Sequence, residues 1–186
     1  MFSCTLSGTT CTIAVIIGKE CIVAHVGDSR SVLATIKEGK LCASDLTKDH
    51  HPDLASERER VEQCGGEIKK LDEKSPYRVF WKNSMIPGLA MTRAIGDIVC
   101  QNLGVISDPD IFTFTVSSND KYLLICSDGV WEFISSEQAV AIISSIPKQS
   151  LAEAAEALCK HAYDLWIENE KEVSDDITCM LVSLQS

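Results

Sequence analysis

Four aspartates stand out by residue type and setting: Asp28 in "AHVGDSR", Asp97 in "RAIGD", Asp128 in "LICSDG" and Asp175 in "SDDITCMLV". Three of them sit at the ends of apolar runs that read as strands, where rigid scaffold would carry a carboxylate. Oxygen ligands converging without His or Cys suit a hard cation such as Mg²⁺ or Mn²⁺. Taken singly, each aspartate reads more simply as turn chemistry, since Asp-Gly and Gly-Asp-Ser are ordinary loop sequences. Other acidic or nucleophilic motifs fail. "SDGVWE" lacks the D-x-D-x-D-G spacing of an EF-hand, and no P-loop or G-x-S-x-G elbow is present. The hydroxyls of "GDSRS" have no histidine beside them in sequence to act as a base. His25 lies inside an apolar run and reads as a core residue, while His50, His51 and His161 read as solvated or capping groups.

The composition narrows the chemistry further. A net charge of -10 repels phosphate backbones, so nucleic acid is not an expected partner, and any chemistry on phosphate would need added cations. The longest apolar runs, "IAVII" and "YLLIC", fall far short of the roughly 18 residues of a spanning helix, so no membrane association is expected. The opening "MFSCTLSGTT" lacks the basic start and apolar stretch of a secretory signal, which leads to an expected cytoplasmic or nuclear location. Nine scattered cysteines with no C-x-x-C pair read as thiols in a reducing compartment. A chain of 186 residues fits one domain, burying roughly 70% of its unfolded surface.

Short strands and a few helices must position the aspartates. Apolar runs at 10–17, 20–26, 31–36 and 40–45 read as an antiparallel meander, with glycine-containing breaks at "GKE" and "KEGK". Their polar and apolar residues do not alternate cleanly, so both sheet faces should be covered. "DLASERERVEQCGG" reads as a helix capped by Asp53 and closed by Gly65. Residues 67–88 read as a long, exposed, flap-like loop. Runs at 111–116 and 121–126 read as a strand pair around "SSND". Ser135 with Gln138, and Ser150 with Glu153, match capping boxes of two helices, and 177–184 reads as a last strand. The expected architecture is a single α+β domain over 1–186.

In order along the chain, "SGTTCTIAVI", "VAHVGDSRSVL", "LTKDHHPD", "ERERVEQCGGEI", "PGLAMTRAIGD", "SDPDI", "YLLICSDGVWE" and "DDITCMLV" resemble the metal-dependent type 2C (PPM-type) serine/threonine protein phosphatases. The resemblance implies an αββα sandwich of two antiparallel sheets flanked by helices. It implies two Mg²⁺ or Mn²⁺ ions, with room for a third, and hydrolysis of phosphoserine and phosphothreonine esters in phosphoproteins by a metal-activated water. Carried over by residue, Asp128 and Asp175 match metal ligands, and Asp28 matches the aspartate that helps hold the third ion. Asp176 stands where the family commonly has asparagine, and Glu132 stands where aspartate is frequent. Thr92 replaces a common serine, Arg93 follows as expected, and Gly129 follows Asp128 as the turn. Gly96 and Asp97 match the family's "GD", with Asp97 either supporting the ligands or serving the loop alone.

The family's opening motifs, including the "DGHG" segment with its metal-bridging aspartate, have no match in this sequence. The polypeptide by itself is therefore expected to bind metal weakly and to hydrolyse little. It should also leave a sheet edge or an apolar face exposed, liable to associate. Three explanations stay open: a fragment of a complete phosphatase, which is favoured; a chain completed by a separate polypeptide; or a non-catalytic, phosphatase-like binding module.

Overall fold

The computed structural model describes residues 3–73, 75–146, 150–171 and 173–185. In chain order the elements are β1 (Gly8–Thr9), β2 (Cys11–Ile17), β3 (Glu20–Val26), β4 (Arg30–Lys37), β5 (Lys40–Asp45), α1 (Ala55–Gln63), β6 (Gly66–Lys69), β7 (Arg78–Trp81), β8 (Pro87–Leu89) and β9 (Ile95–Gly96). They continue with α2 (Ile98–Gln101), β10 (Asp110–Thr115), β11 (Asp120–Cys126), α3 (Asp128–Trp131), α4 (Ser136–Ser145), α5 (Leu151–Glu170) and β12 (Cys179–Ser183). Two compact units result. The first takes Met1–Cys11, Ala24–Asp28 and Asp49–Asp110, and the second takes Thr12–Val23, Ser29–Lys48 and Ile111–Ser186.

The second unit holds two antiparallel sheets flanked by helices, as expected for the α+β class. A four-stranded sheet runs β12-β11-β4-β5, and a three-stranded sheet runs β10-β3-β2. Between them lie Cys21, Val23, Leu33, Leu46 and Leu123, all buried. The opposite face of the four-stranded sheet presents Val32, Ala34, Leu124 and Cys126 to Val140, Ile143, Leu158 and Ala162 of α4 and α5. Successive residues Leu123 and Leu124 thus enter different cores, which is why the sequence shows an apolar run there instead of alternation. Each contributes about 2 kcal/mol by burial.

The three-stranded sheet departs from the expectation of two covered faces. Ala14 packs inward, and by strand alternation Ile13, Val15 and Ile17 face outward, where all three are exposed; Ile22 of β3 and Ile111 of β10 are exposed too. The meander is also corrected. The chain makes two hairpins, β2-β3 and β4-β5, placed in different sheets. Likewise β10 and β11 flank the expected turn, where Asp120 accepts from the Ser117 amide and hydroxyl at 2.8 Å each, yet they do not pair with one another.

In the first unit, Val61, Val79, Ala94, Cys100, Leu103 and Val105 form a small core. The loop expected over 67–88 contains strands. β6-β7-β8 form an antiparallel sheet, with Val79 and Phe80 buried, and Lys74 lies outside the described residues. Helix α1 begins at Ala55 with Leu54 at its N-cap, so Asp53 does not cap it, although Gly65 does follow its end with φ +83°. No helix among the described residues is long and apolar enough to cross a membrane.

Candidate metal centre

The second unit brings the two late aspartate segments side by side. Strands β11 and β12 stay in register to the pair Cys126 and Cys179. Beyond it, Ser127 continues the zip: its amide donates to the Thr178 carbonyl (3.1 Å), and its hydroxyl accepts from the Thr178 amide and donates to the Asp176 carbonyl (3.0 Å each). Asp128 opens α3, its Oδ1 accepting from the Gly129 amide at 3.0 Å, while Asp175 Oδ1 accepts from the Asp176 amide at 2.7 Å. Only glycine fits at 129, because a Cβ there would approach the Asp176 carbonyl oxygen to 2.5 Å.

Two indoles pin this turn. Trp131 Nε1–H donates to the Cys126 carbonyl (3.0 Å) and Trp166 Nε1–H donates to the Gly129 carbonyl (2.7 Å). The Arg30 guanidinium lies 5.1 Å from the Trp131 ring centre and donates to Ser136 Oγ, which donates to Asp45 at 2.5 Å. Ser127, Trp131 and Trp166 were not singled out from sequence; the only signal was the tryptophan of "SDGVWE". Glu132 is exposed, its amide donating to the Asp128 carbonyl.

The oxygen atoms of this segment are the carboxylates of Asp128 and Asp175 and the Asp176 carbonyl, a type of donor that suits a hard divalent ion. Among the described residues, no three His, Cys, Asp or Glu side chains gather in a metal-binding group.

Asp28 and Asp97 belong to the first unit. Asp28 is buried, with His51 Nε2 at 3.9 Å from its Oδ2. The preceding Gly27 has φ +108°, and a Cβ there would collide with Thr10. Asp97, also at positive φ (+44°), donates its amide to the Ser7 carbonyl, packs against Gly8, and makes no side-chain cap to α2. Burial pushes its carboxyl pKa up.

His50 corrects the sequence reading. It is buried, stacked on His25 with ring centres 4.2 Å apart, and is neither solvated nor a cap. Its Nδ1 accepts from the Gly27 amide at 3.0 Å, so Nε2 carries the proton toward Asp110 Oδ2 at 3.2 Å. Burial lowers its pKa, His25 and Arg93 add to the lowering, and Asp110 and Glu57 oppose it.

Sequence reading also missed Glu57, buried on α1. Burial pushes its carboxyl up, but hydrogen bonds from Arg60 (2.9 Å), Arg93 (2.8 Å) and Thr92 (2.6 Å) outweigh that and hold it well below the usual carboxylate range. The missing signal was tertiary, because Arg93 lies 36 residues away.

A family model described as protein phosphatase 2C matches residues 1–169. Probable protein phosphatase 2C 72 of Arabidopsis thaliana is 39% identical over 189 residues, covering 100% of this chain and 57% of that protein. Probable protein phosphatase 2C 18 of the same plant is 40% identical, covering 98% of this chain and 36% of that protein. The crystal structure of a serine-threonine phosphatase 2C from Toxoplasma gondii superposes with a TM-score of 0.81 at 25% identity, covering 94% of this chain and 57% of that one. A C. elegans sex determining protein shares the fold, with a TM-score of 0.78 at 22% identity, over 96% of this chain and 40% of that one.

Antiparallel sheets flanked by helices place the chain in the structural class of these phosphatases. It belongs to the protein phosphatase 2C family. The chain spans 32% to 57% of the length of these and similar curated relatives.

Proposed function

We propose that this chain carries the late half of the metal site of a protein serine/threonine phosphatase acting on phosphoproteins. The observation that carries the reading is the zip from Ser127 to Asp176 and Thr178, which holds the Asp128 and Asp175 segments together. Asp128 and Asp175 would hold Mg²⁺ or Mn²⁺, with the Asp176 carbonyl and Glu132 in the same unit; Asp28, in the other unit, would by itself serve as a ligand of a further ion. When bound, such cations supply Lewis acidity and charge neutralisation toward a phosphate monoester. The residues themselves fix the ligands. Trp131 and Trp166 hold the backbone on either side of Asp128, and Gly129 lets the Asp176 segment approach. On this reading Asp128 and Asp175 are only two of the ligands a cation needs, and the polypeptide alone binds metal weakly and turns over little.

The test is a phosphopeptide assay with Mn²⁺ on this chain and on a chimera carrying the family's "DGHG"-containing portion. The expected result is turnover by the chimera alone, lost in Asp128→Asn. A chimera that folds, binds partner proteins and never turns over would favour the phosphatase-like binding module instead, and Asp128-dependent turnover by the short chain would overturn the inactivity.

A further inference from the structure

We infer that His50 is a positioning residue: its Nδ1 lone pair holds the Gly27 amide, and through that turn the Asp28 carboxylate, in a tautomer that Asp110 and Arg93 select. The inference rests on the reading of Asp28 as a cation ligand. Gly27 and His50 are joined twice, the Gly27 amide donating to Nδ1 (3.0 Å) and the His50 amide donating to the Gly27 carbonyl (2.9 Å). That ring geometry needs a bare Nδ1. Arg93 Nη1 donates to Asp110 Oδ1 at 2.8 Å, which leaves Oδ2 to accept from Nε2–H. Arg93 is itself held by Glu57, and the Thr92 amide ties down the His50 carbonyl at 2.8 Å. The turn being held is one that only glycine fits, since Gly27 sits at φ +108° and a Cβ there would meet Thr10. Partners of this kind, one step behind a ligand, typically shift metal affinity 10- to 100-fold when removed.

Two substitutions separate the acceptor from mere packing. In His50→Asn the amide oxygen takes the place of Nδ1, whereas in His50→Gln a polar group reaches the place of Nε2 and the Gly27 amide loses its acceptor. A third variant, Asp110→Asn, guards against misfolding, because the Asp110 side chain is 58% exposed. In it Arg93 keeps the amide oxygen, the NH₂ faces Nε2, and the imidazole proton is driven to Nδ1, toward the Gly27 amide.

The experiment is amide exchange and imidazole ¹⁵N NMR on the metal-free, labelled chain, followed by Mn²⁺ addition. Wild type should show a protonated Nε2 and a slowly exchanging Gly27 amide. His50→Asn should keep that protection, and His50→Gln should lose it by roughly tenfold. Asp110→Asn should move the proton to Nδ1 and speed Gly27 exchange. Mn²⁺ broadening around Asp28 should follow the same order, weakening roughly tenfold in His50→Gln. Equal exchange in the Asn and Gln variants, or a wild-type ring protonated on Nδ1, overturns the inference. Absence of Mn²⁺ broadening in wild type counts against Asp28 as a ligand, while the exchange order still decides on His50.

Discussion

At the scale of single residues, the charge most exposed to test is Glu57. It is buried and takes hydrogen bonds from Arg60, Arg93 and Thr92. Glu57→Gln removes the anion that Arg60 and Arg93 share, leaving Arg93 only Asp110, and should cost about 3 kcal/mol in urea unfolding. Its depressed pKa sets the pH behaviour. The ionised carboxyl contributes stability above its unfolded value of about 4.3, and that contribution is lost as pH falls toward the folded value. Acidifying from pH 5 to pH 3 should therefore destabilise wild type more than Glu57→Gln, which has no carboxyl to protonate. Asp128 was legible in sequence because an apolar run ending in Asp-Gly signals a strand end locally. His50 was not, because its burial comes from Gly27 and Asp110, 23 and 60 residues away, and "KDHHPD" looks like a polar loop by itself.

Element boundaries were legible where the signal was local. The capping box of α4 is present in full, the Ser135 side chain accepting from the Gln138 amide and the Gln138 side chain accepting from the Ser135 amide. Ser135→Ala should cost about 1 kcal/mol. The same sequence signature at Ser150 and Glu153 yields no side-chain cap, so Ser150→Ala should change stability by only a few tenths of a kcal/mol at most, measured in the same urea titrations. Leu158, fully buried under α5, should cost about 3 kcal/mol as Leu158→Ala. Pairing was not legible. Two apolar runs with a turn between them specify strands without naming partners, so β10 and β11 read as a hairpin although each joins a different sheet. The strands at 66–69 and 78–81 were hidden because each is only four residues long, too short for alternation to show, in a segment with several lysines and two prolines.

For the molecule as a whole, the exposed outer face of the three-stranded sheet is the clearest physical liability. Ile13, Val15 and Ile17 lie on the edge strand β2, and Ile22 of the adjoining β3 and Ile111 of the opposite edge strand β10 are exposed as well. Such an edge templates association, and a lysine on it opposes pairing. Sedimentation should show concentration-dependent self-association of the chain that falls in Val15→Lys; a wild type that stays monomeric at high concentration would contradict this. The central claim is that the carboxyl groups of Asp128 and Asp175 grip one divalent ion, and the most direct test is Mn²⁺ affinity measured by electron paramagnetic resonance in a double-mutant cycle. The account predicts that Asp128→Asn and Asp175→Asn each remove the same weak site, so that the double variant loses no more than either alone. Full additivity, or unchanged binding in both single variants, would contradict it.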